Sequence, residues 1–285
     1  MDQCMLHAVL SNATHPEYGA ATLPFPIPRE DFGHCIELLE ALEIGKVSTQ
    51  DCHVDEISRG WPILGRLEGT NVDLDELDYL AKRLDSFDDG EAAQFQAMTE
   101  ALDLTDMKDL INLTFCCQQA TVITDFSDLE AIGREHYMNT HGGCARAQEL
   151  EALDGTETAI LLIEGGGGRV TRYGVVYDNG MKLDQSYDGR HFPGYLYEPP
   201  MLMVALTSRM EPEDTKNITW LYLPAAKEQL KRGMGRSGID DPENMRFRFV
   251  ECMFPDEIKA VLDFQSDPLF SLNELAQTVT NLSDK

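Results

Sequence analysis

Apolar residues return along this chain at two periods, and the switches between them mark out its elements. Leu6–Leu10 alternates as a short strand, and Asn12–Gly19 carries turn residues. Thr22–Ile27 reads as extended, because prolines at 24, 26 and 28 bar an early helix. From Arg29 the period becomes 3.6, with Phe32, Cys35, Ile36, Leu39 and Leu42 on one face and Gly45 as the expected stop. A second helix opens at Asp73, an N-cap with Glu76 three residues on, and buries Leu74, Leu77, Leu80, Ala81 and Leu84. A third, about Glu91–Leu104, buries Phe95, Met98 and Leu102. A fourth starts at Ser127 with Glu130 in the capping-box position, and buries Leu129, Ile132 and Tyr137. Ala159–Glu164 and Arg169–Asp178 flank four glycines, which predicts a β-hairpin with a flexible tip. Lys227–Arg236 reads as a helix face and Arg246–Arg248 as part of a strand.

Laying residue 5 on residue 201 exposes an internal repeat. Met5-Leu6 meets Met201-Leu202, Leu10 meets Leu206, Pro16-Glu17 meets Pro212-Glu213 and Pro28 meets Pro224. With small insertions Glu43-Ile44 matches Gly238-Ile239, and Leu74–Leu77 matches Leu272–Leu275. The expected architecture is α+β and elongated, built of small α/β modules: residues 1–90, a mostly helical 91–157, a hairpin-containing insert at 158–200, and a second copy of the first module at 201–285.

Charge changes this picture. The chain holds 50 Asp+Glu against 23 Lys+Arg, a net of −27. Residues 1–157 carry 31 acids and 9 bases, 158–200 carry 5 and 4, and 201–285 carry 14 and 10. The excess sits among helically spaced apolar residues, so it belongs to folded surfaces. Such a surface repels nucleic acid and attracts proteins that bind nucleic acid. On the first helix Glu37, Glu40 and Glu43 have Ala41, Ile44 and Val47 four residues on, so the usual i,i+4 ion pairs are missing. Asp75, Asp78 and Asp85 are expected to point outward from the second helix, with Lys82 and Arg83 as the local bases.

Sites for chemistry are sparse. The seven histidines are scattered, and the pairs Cys52-His53 and His141 with Cys144 have no second pair at zinc-like spacing. No Gly-x-Ser-x-Gly elbow occurs, and the glycine run at 165–168 is followed by neither Lys-Ser/Thr nor a helix start. No metal, cofactor or catalytic residue is expected. No apolar run reaches the roughly 18–20 residues of a membrane span, and Met1–Cys4 lacks the basic start of a secretory signal. Seven cysteines without a paired framework suit reduced thiols, so a cytoplasmic protein is expected.

Leu74-Asp-Glu-Leu-Asp-Tyr-Leu-Ala81, Asp109-Leu-Ile-Asn-Leu113 and Val122–Arg134 followed by Tyr137 resemble strings of the ArdA antirestriction proteins. The last is the most specific, since it spans Ser127-Asp128 and Gly133-Arg134. The resemblance covers roughly residues 20–140; the end of the chain joins it only through the repeat, and 141–200 lies outside it. It implies an elongated, acidic dimer from a conjugative plasmid or transposon that mimics DNA. Its carboxylates would occupy the DNA groove of a type I restriction-modification enzyme and so protect incoming mobile DNA. At one charge per about 1.7 Å of duplex, the net charge matches on the order of 46 Å of DNA. A compact chain of this length has a radius of gyration of about 19 Å, so one protomer presents charge at nearly DNA-like density.

The acids expected to form the mimic surface are Glu37, Glu40, Glu43, Asp73, Asp75, Asp78, Asp85, Asp88, Asp89, Asp103, Asp106, Asp109, Asp125, Asp128 and Glu130. Two alternatives stand beside this reading. One is a mimic aimed at a CRISPR effector, a regulator or a nucleoid protein. The other is an enzyme using Tyr173, Tyr177, Asp178, Tyr187, Asp188, Arg190 and His191 of the insert.

Overall fold

A computed structural model describes residues 5–58, 60–262 and 268–283; the signal-sequence reading of Met1–Cys4 lies outside them. The chain begins with β1 (Leu6–Ser11), β2 (Ala20–Phe25), α1 (Phe32–Ala41), β3 (Cys52–Ser58), β4 (Asn71–Val72) and α2 (Leu74–Asp85). Next come α3 (Asp89–Ala101), α4 (Met107–Leu113), β5 (Thr121–Ile123), α5 (Leu129–Thr140), α6 (Ala147–Ala152), α7 (Gly155–Gly165), β6 (Arg169–Thr171) and β7 (Gly174–Tyr177). The last part holds β8 (Leu202–Ser208), β9 (Thr219–Leu223), α8 (Lys227–Arg236), β10 (Met245–Cys252), α9 (Asp256–Lys259) and α10 (Leu269–Ser283). The fold is α+β. Its sheets run β2-β1-β3-β4, β5-β7-β6 and β10-β8-β9, and every strand pair is antiparallel.

The repeat is real in three dimensions, although two of its registers differ from the sequence match. β8 lies on β1 as expected, with Leu6, Leu10, Leu202 and Leu206 fully buried. The connection before the second strand is longer in the later copy, residues 209–218 against 12–19, so Pro26, not Pro28, is the counterpart of Pro224. Both follow a strand through a cis peptide bond, Phe25-Pro26 and Leu223-Pro224. The closing helices are offset by three residues from the Leu-Asp-Glu-Leu match. Asp78 Oδ1 accepts from the Ile27 amide at 2.7 Å, and Asn273 Oδ1 accepts from the Ala225 amide at 2.8 Å. That shared bond to the residue after the cis proline pairs Asp78 with Asn273. Leu74, Leu77 and Ala81 then fall on Leu269, Leu272 and Ala276, all of them buried. Short amphipathic helices repeat Leu and Ala every three or four residues, so a string match slides easily by one turn.

The first core runs without a break from Leu6 through Cys117 and Val122, and takes in Val176 and Tyr187. It therefore passes through residue 90 and recruits the 158–200 region. The second copy has its own core, Leu202 to Ala276. A small third cluster joins Ile123, Ile132, Ala159 and Tyr177 under α5 and α7.

The predicted hairpin arm at Ala159–Glu164 is a correction: those residues form most of α7. Asp154 caps that helix by accepting from the Glu157 amide at 2.8 Å, and the alanine and leucine that follow are strong helix formers. The hairpin is β6–β7, extended by β5, and the glycine run leads out of the helix into it. α5 and α7 cross at two glycines. A Cβ on Gly133 would sit 1.8 Å from the Gly155 carbonyl oxygen, and one on Gly155 would sit 2.4 Å from the Glu130 oxygen. α5 also starts two residues later than expected: Asp128 is the N-cap, accepting from the Ala131 amide at 2.9 Å, and Ser127 instead bonds Asp125.

Candidate functional site

α1 buries Phe32, Cys35, Ile36 and Leu39 against the first sheet and leaves Glu37 and Glu40 exposed. It ends earlier than Gly45. Leu42 is the C-cap and Glu43 adopts φ +60°, while the Ile44 amide returns to the Leu39 carbonyl at 3.0 Å. Gly238 holds the equivalent place in the second copy, at φ +69°, with the Ile239 amide bonded to Met234 at 2.9 Å. An exposed glutamate thus occupies a backbone position suited to glycine. Asp103 does the same after α3, at φ +52°, with the Leu104 amide on the Thr99 carbonyl.

The second group of exposed acids sits at helix starts. Asp88 caps α3 in a reciprocal capping box with Glu91, and Asp89 is the exposed first helical residue. Asp106 caps α4 by accepting from the amides of Lys108 and Asp109, with Asp109 half-buried beside it. Asp125 and Asp128 lie exposed around the start of α5. The hydroxyl and amide of Ser127 hold the Asp125 carboxyl below its usual range. Asp88, Asp106, Asp125 and Asp128 accept from backbone amides, and Asp89 and Asp109 sit in first turns where the helix dipole favours an acid. Among the described residues, no basic side chain lies within ion-pair distance of Glu37, Glu40, Glu43, Asp85, Asp88, Asp89, Asp106, Asp109, Asp125 or Asp128.

Three acids expected on the surface are interior. Asp73 accepts from the Asp75 and Glu76 amides as the α2 N-cap, and also from Arg236 Nη2. Asp75 is clamped by Arg232 Nε at 2.6 Å and Arg236 Nε at 2.9 Å, and Arg232 Nη1 donates to the Gly45 carbonyl at 2.6 Å. Asp78 is spent on the Ile27 amide and on Lys82 at 2.8 Å. The two arginines sit four apart on α8, so one face of the second copy grips the first turn of α2. Burial pushes Asp73 up, against the pull of Arg236. For Asp75 burial is outweighed by the two guanidiniums, which hold it below the usual carboxylate range. Local sequence could not show this, because the bases lie more than 150 positions away.

Three further acids are partly committed. Asp103 pairs with Arg66 at 3.0 Å but stays 89% exposed. Glu130 pairs with Arg134 at 2.7 Å and accepts from the Thr156 amide at 3.0 Å, which ties α5 to the start of α7. Asp85 accepts from the Tyr197 hydroxyl and is otherwise exposed.

The titratable residues of 173–191 are dispersed by the fold. Tyr187 is fully buried, its hydroxyl donating to Glu76 Oε1 at 2.7 Å and its backbone clasped by the Asn112 carboxamide. Tyr177 belongs to the α5–α7 cluster, while His191 rests on Asp188 at 2.9 Å. Backbone and side-chain donors, His191 among them, hold Asp188 down at about 2 despite its partial burial. Glu76 is the perturbed group that sequence reading missed. Burial raises it to about 7, and its Oε2 is buried without a hydrogen-bond partner. Among the described residues no three His, Cys, Asp or Glu side chains are placed to hold a metal ion. No described helix is long and apolar enough to cross a membrane.

No family model matches this chain, and no curated protein matches it either. What the site offers is read from its own chemistry: an array of carboxylates fixed on helix ends and one helix face, facing solvent without counter-charges of their own.

Proposed function

We propose that this protein is a DNA mimic of the ArdA kind, an antirestriction protein whose carboxylate surface occupies the DNA groove of a type I restriction-modification enzyme. It acts by binding and not by catalysis, as a cytoplasmic homodimer that protects incoming mobile DNA. One observation carries the reading: exposed acids anchored at the starts of α3, α4 and α5 and along α1, without basic partners. The resemblance of residues 20–140 to ArdA strings supports it. A Lys/Arg groove built for phosphates meets carboxylates there, and the release of counterions from both surfaces favours association.

The test is a titration of the purified protein into a type I restriction enzyme cleaving unmodified DNA, at two salt concentrations. Stoichiometric inhibition that weakens with salt and is relieved by excess DNA is expected. Absence of inhibition across several type I enzymes, by folded protein, refutes that target and moves the search to other nucleic-acid-binding proteins.

A further inference from the structure

Between the two copies lies a cavity of about 490 Å³, within the size range of small-molecule sites. The first copy contributes the β2–α1 connection and α2, the second β9 and α8, and residues 190–198 close the side. Aromatic rings form much of its wall. Tyr79 and Phe192 are stacked at 4.5 Å and 9°, with Tyr195 edge-on to Tyr79 at 6.3 Å. Trp220 packs over Gly194, where a Cβ would come within 3.2 Å of the indole. The phenol groups are already engaged: Tyr79 donates to the Pro193 carbonyl, Tyr197 to Asp85, and Tyr222 accepts from the Tyr195 amide. Phe192 is already stacked on Tyr187 as well as Tyr79, at 4.9 Å and 9°, with the Arg236 guanidinium 4.4 Å from its ring, and Arg83 lies 4.4 Å from the Tyr195 ring, so Trp220 is the aromatic surface this wall still offers.

The polar groups of the wall are lopsided. Its interior acids are taken, Asp75 by two arginines, Asp78 by Lys82 and a backbone amide, Asp85 by Tyr197. Glu30 and Glu198 are exposed residues. Donors, by contrast, are left over. Among the described residues the half-buried Arg29 guanidinium has one hydrogen-bond partner, the Pro224 carbonyl at 3.0 Å. Arg232 is 8% exposed, and its Nη2 is buried with no partner at all. In a chain of net charge −27, spare guanidinium donors beside aromatic faces ask for an acceptor on a flat ring.

We propose that this cavity binds a small planar anion, an aromatic ring bearing a phosphate or a carboxylate. The ring lies against Trp220, and the anionic group is held by Arg29 and Arg232. The inference is independent of DNA mimicry, because the acids of the mimic surface are not the groups that would hold the ligand.

Trp61 and Trp220 are the two tryptophans, so a Trp61→Phe background makes Trp220 the only indole reporter. Adenosine 5′-monophosphate and 1-naphthoate, the phosphate and carboxylate arms, are titrated at about 0.15 M salt, where the Debye length of about 8 Å screens the protein's net charge. Calorimetry on the parent chain repeats the measurement should Trp61→Phe fail to fold. Saturable binding of at least one probe is expected, at least tenfold weaker in Arg29→Gln. Where the phosphate arm binds, adenosine without its phosphate should bind at least tenfold more weakly. The proposal fails if neither probe binds folded protein, if Arg29→Gln binds as well as the parent, or if adenosine matches the monophosphate.

Discussion

The division of the acids into interior and surface sets makes a prediction that composition alone would never make. Asp75→Asn removes one charge from a chain that has fifty acids, and by composition it should be silent. In the structure it leaves Arg232 with only the Gly45 carbonyl and Arg236 with Asp73 as carboxylate partner. Breaking a buried pair in this way costs about 3–5 kcal/mol. At about 2–4 °C per kcal/mol for chains of this size, the melting temperature should fall by roughly 10 °C. Asp89→Asn, one exposed charge at the start of α3, should stay within about 0.5 kcal/mol of the parent. The converse holds for inhibition. Replacing Glu37 and Glu40 by Gln, and Asp88, Asp89, Asp106 and Asp128 by Asn, keeps every N-cap acceptor, since Asn caps as well as Asp. At about 0.5 kcal/mol per exposed charge, six changes remove about 3 kcal/mol of binding, on the order of 150-fold. Urea denaturation followed by circular dichroism reads the first comparison and the restriction assay reads the second. The reasoning is refuted if Asp75→Asn is as stable as Asp89→Asn. It is equally refuted if the sixfold variant unfolds or inhibits like its parent.

Three further outcomes follow from particular residues. Glu43→Gly should stabilise the chain by about 1 kcal/mol, because it relieves a left-handed backbone at the end of α1, and equilibrium denaturation will show it. Glu76 has its folded pKa raised from 4.5 to about 7, so its contribution is fully present below about 4.5 and is lost as pH rises through about 7. That amounts to about 3 kcal/mol, and Glu76→Gln should abolish this part of the pH dependence of denaturation between pH 4.5 and 8. Gly133→Ala should cost at least about 1–3 kcal/mol, since its methyl would meet the Gly155 carbonyl, and a thermal melt compared with Gly65→Ala, where nothing lies within 4 Å and φ is negative, gives a control at an exposed glycine.

What could be read from sequence was whatever is local. The helical period of α1 and α2, the Asp73 cap, and the β1–β2 start of the first copy all follow from spacings within a few residues, whereas α3 begins at Asp89, ahead of the expected Glu91. α7 was misread as a strand because Ala159–Ile163 is a short apolar run, which periodicity cannot assign, and its capping Asp154 lies outside the run. α4 went unnoticed because seven residues hold too little periodicity to stand out. Of the acids expected on the surface, Glu37, Glu40, Glu43, Asp85, Asp88, Asp89, Asp103, Asp106, Asp125 and Asp128 were found exposed. Asp73, Asp75 and Asp78 were not, because their partners come from α8, from Lys82 and from the turn after Pro26.

The same pairing explains why a repeat of one fold need not be a repeat of one surface. The second copy reproduces the strands, the cis proline turn and the closing helix, yet its α8 carries Arg232 and Arg236 where α1 carries Glu37 and Ala41. Those arginines are spent on the first copy, which leaves the α2 start neutralised and the α1, α3, α4 and α5 acids bare. The acid count of residues 1–157 is therefore an upper bound on the charge a partner would meet. The relevant quantity is what survives internal pairing, and among the survivors Asp88, Asp106, Asp125 and Asp128 have carboxylates that backbone amides orient. A mimic needs that rigidity as much as charge, since phosphates on a duplex are fixed in space. An ordinary solubility surface requires only that the charges be present, and would tolerate moving each acid one residue along its helix. Moving one charge a single residue along α1, by Glu37→Gln with Leu38→Glu at an exposed position, keeps the net charge and the fold. It should nonetheless weaken inhibition if geometry matters, and leave it unchanged if only net charge does.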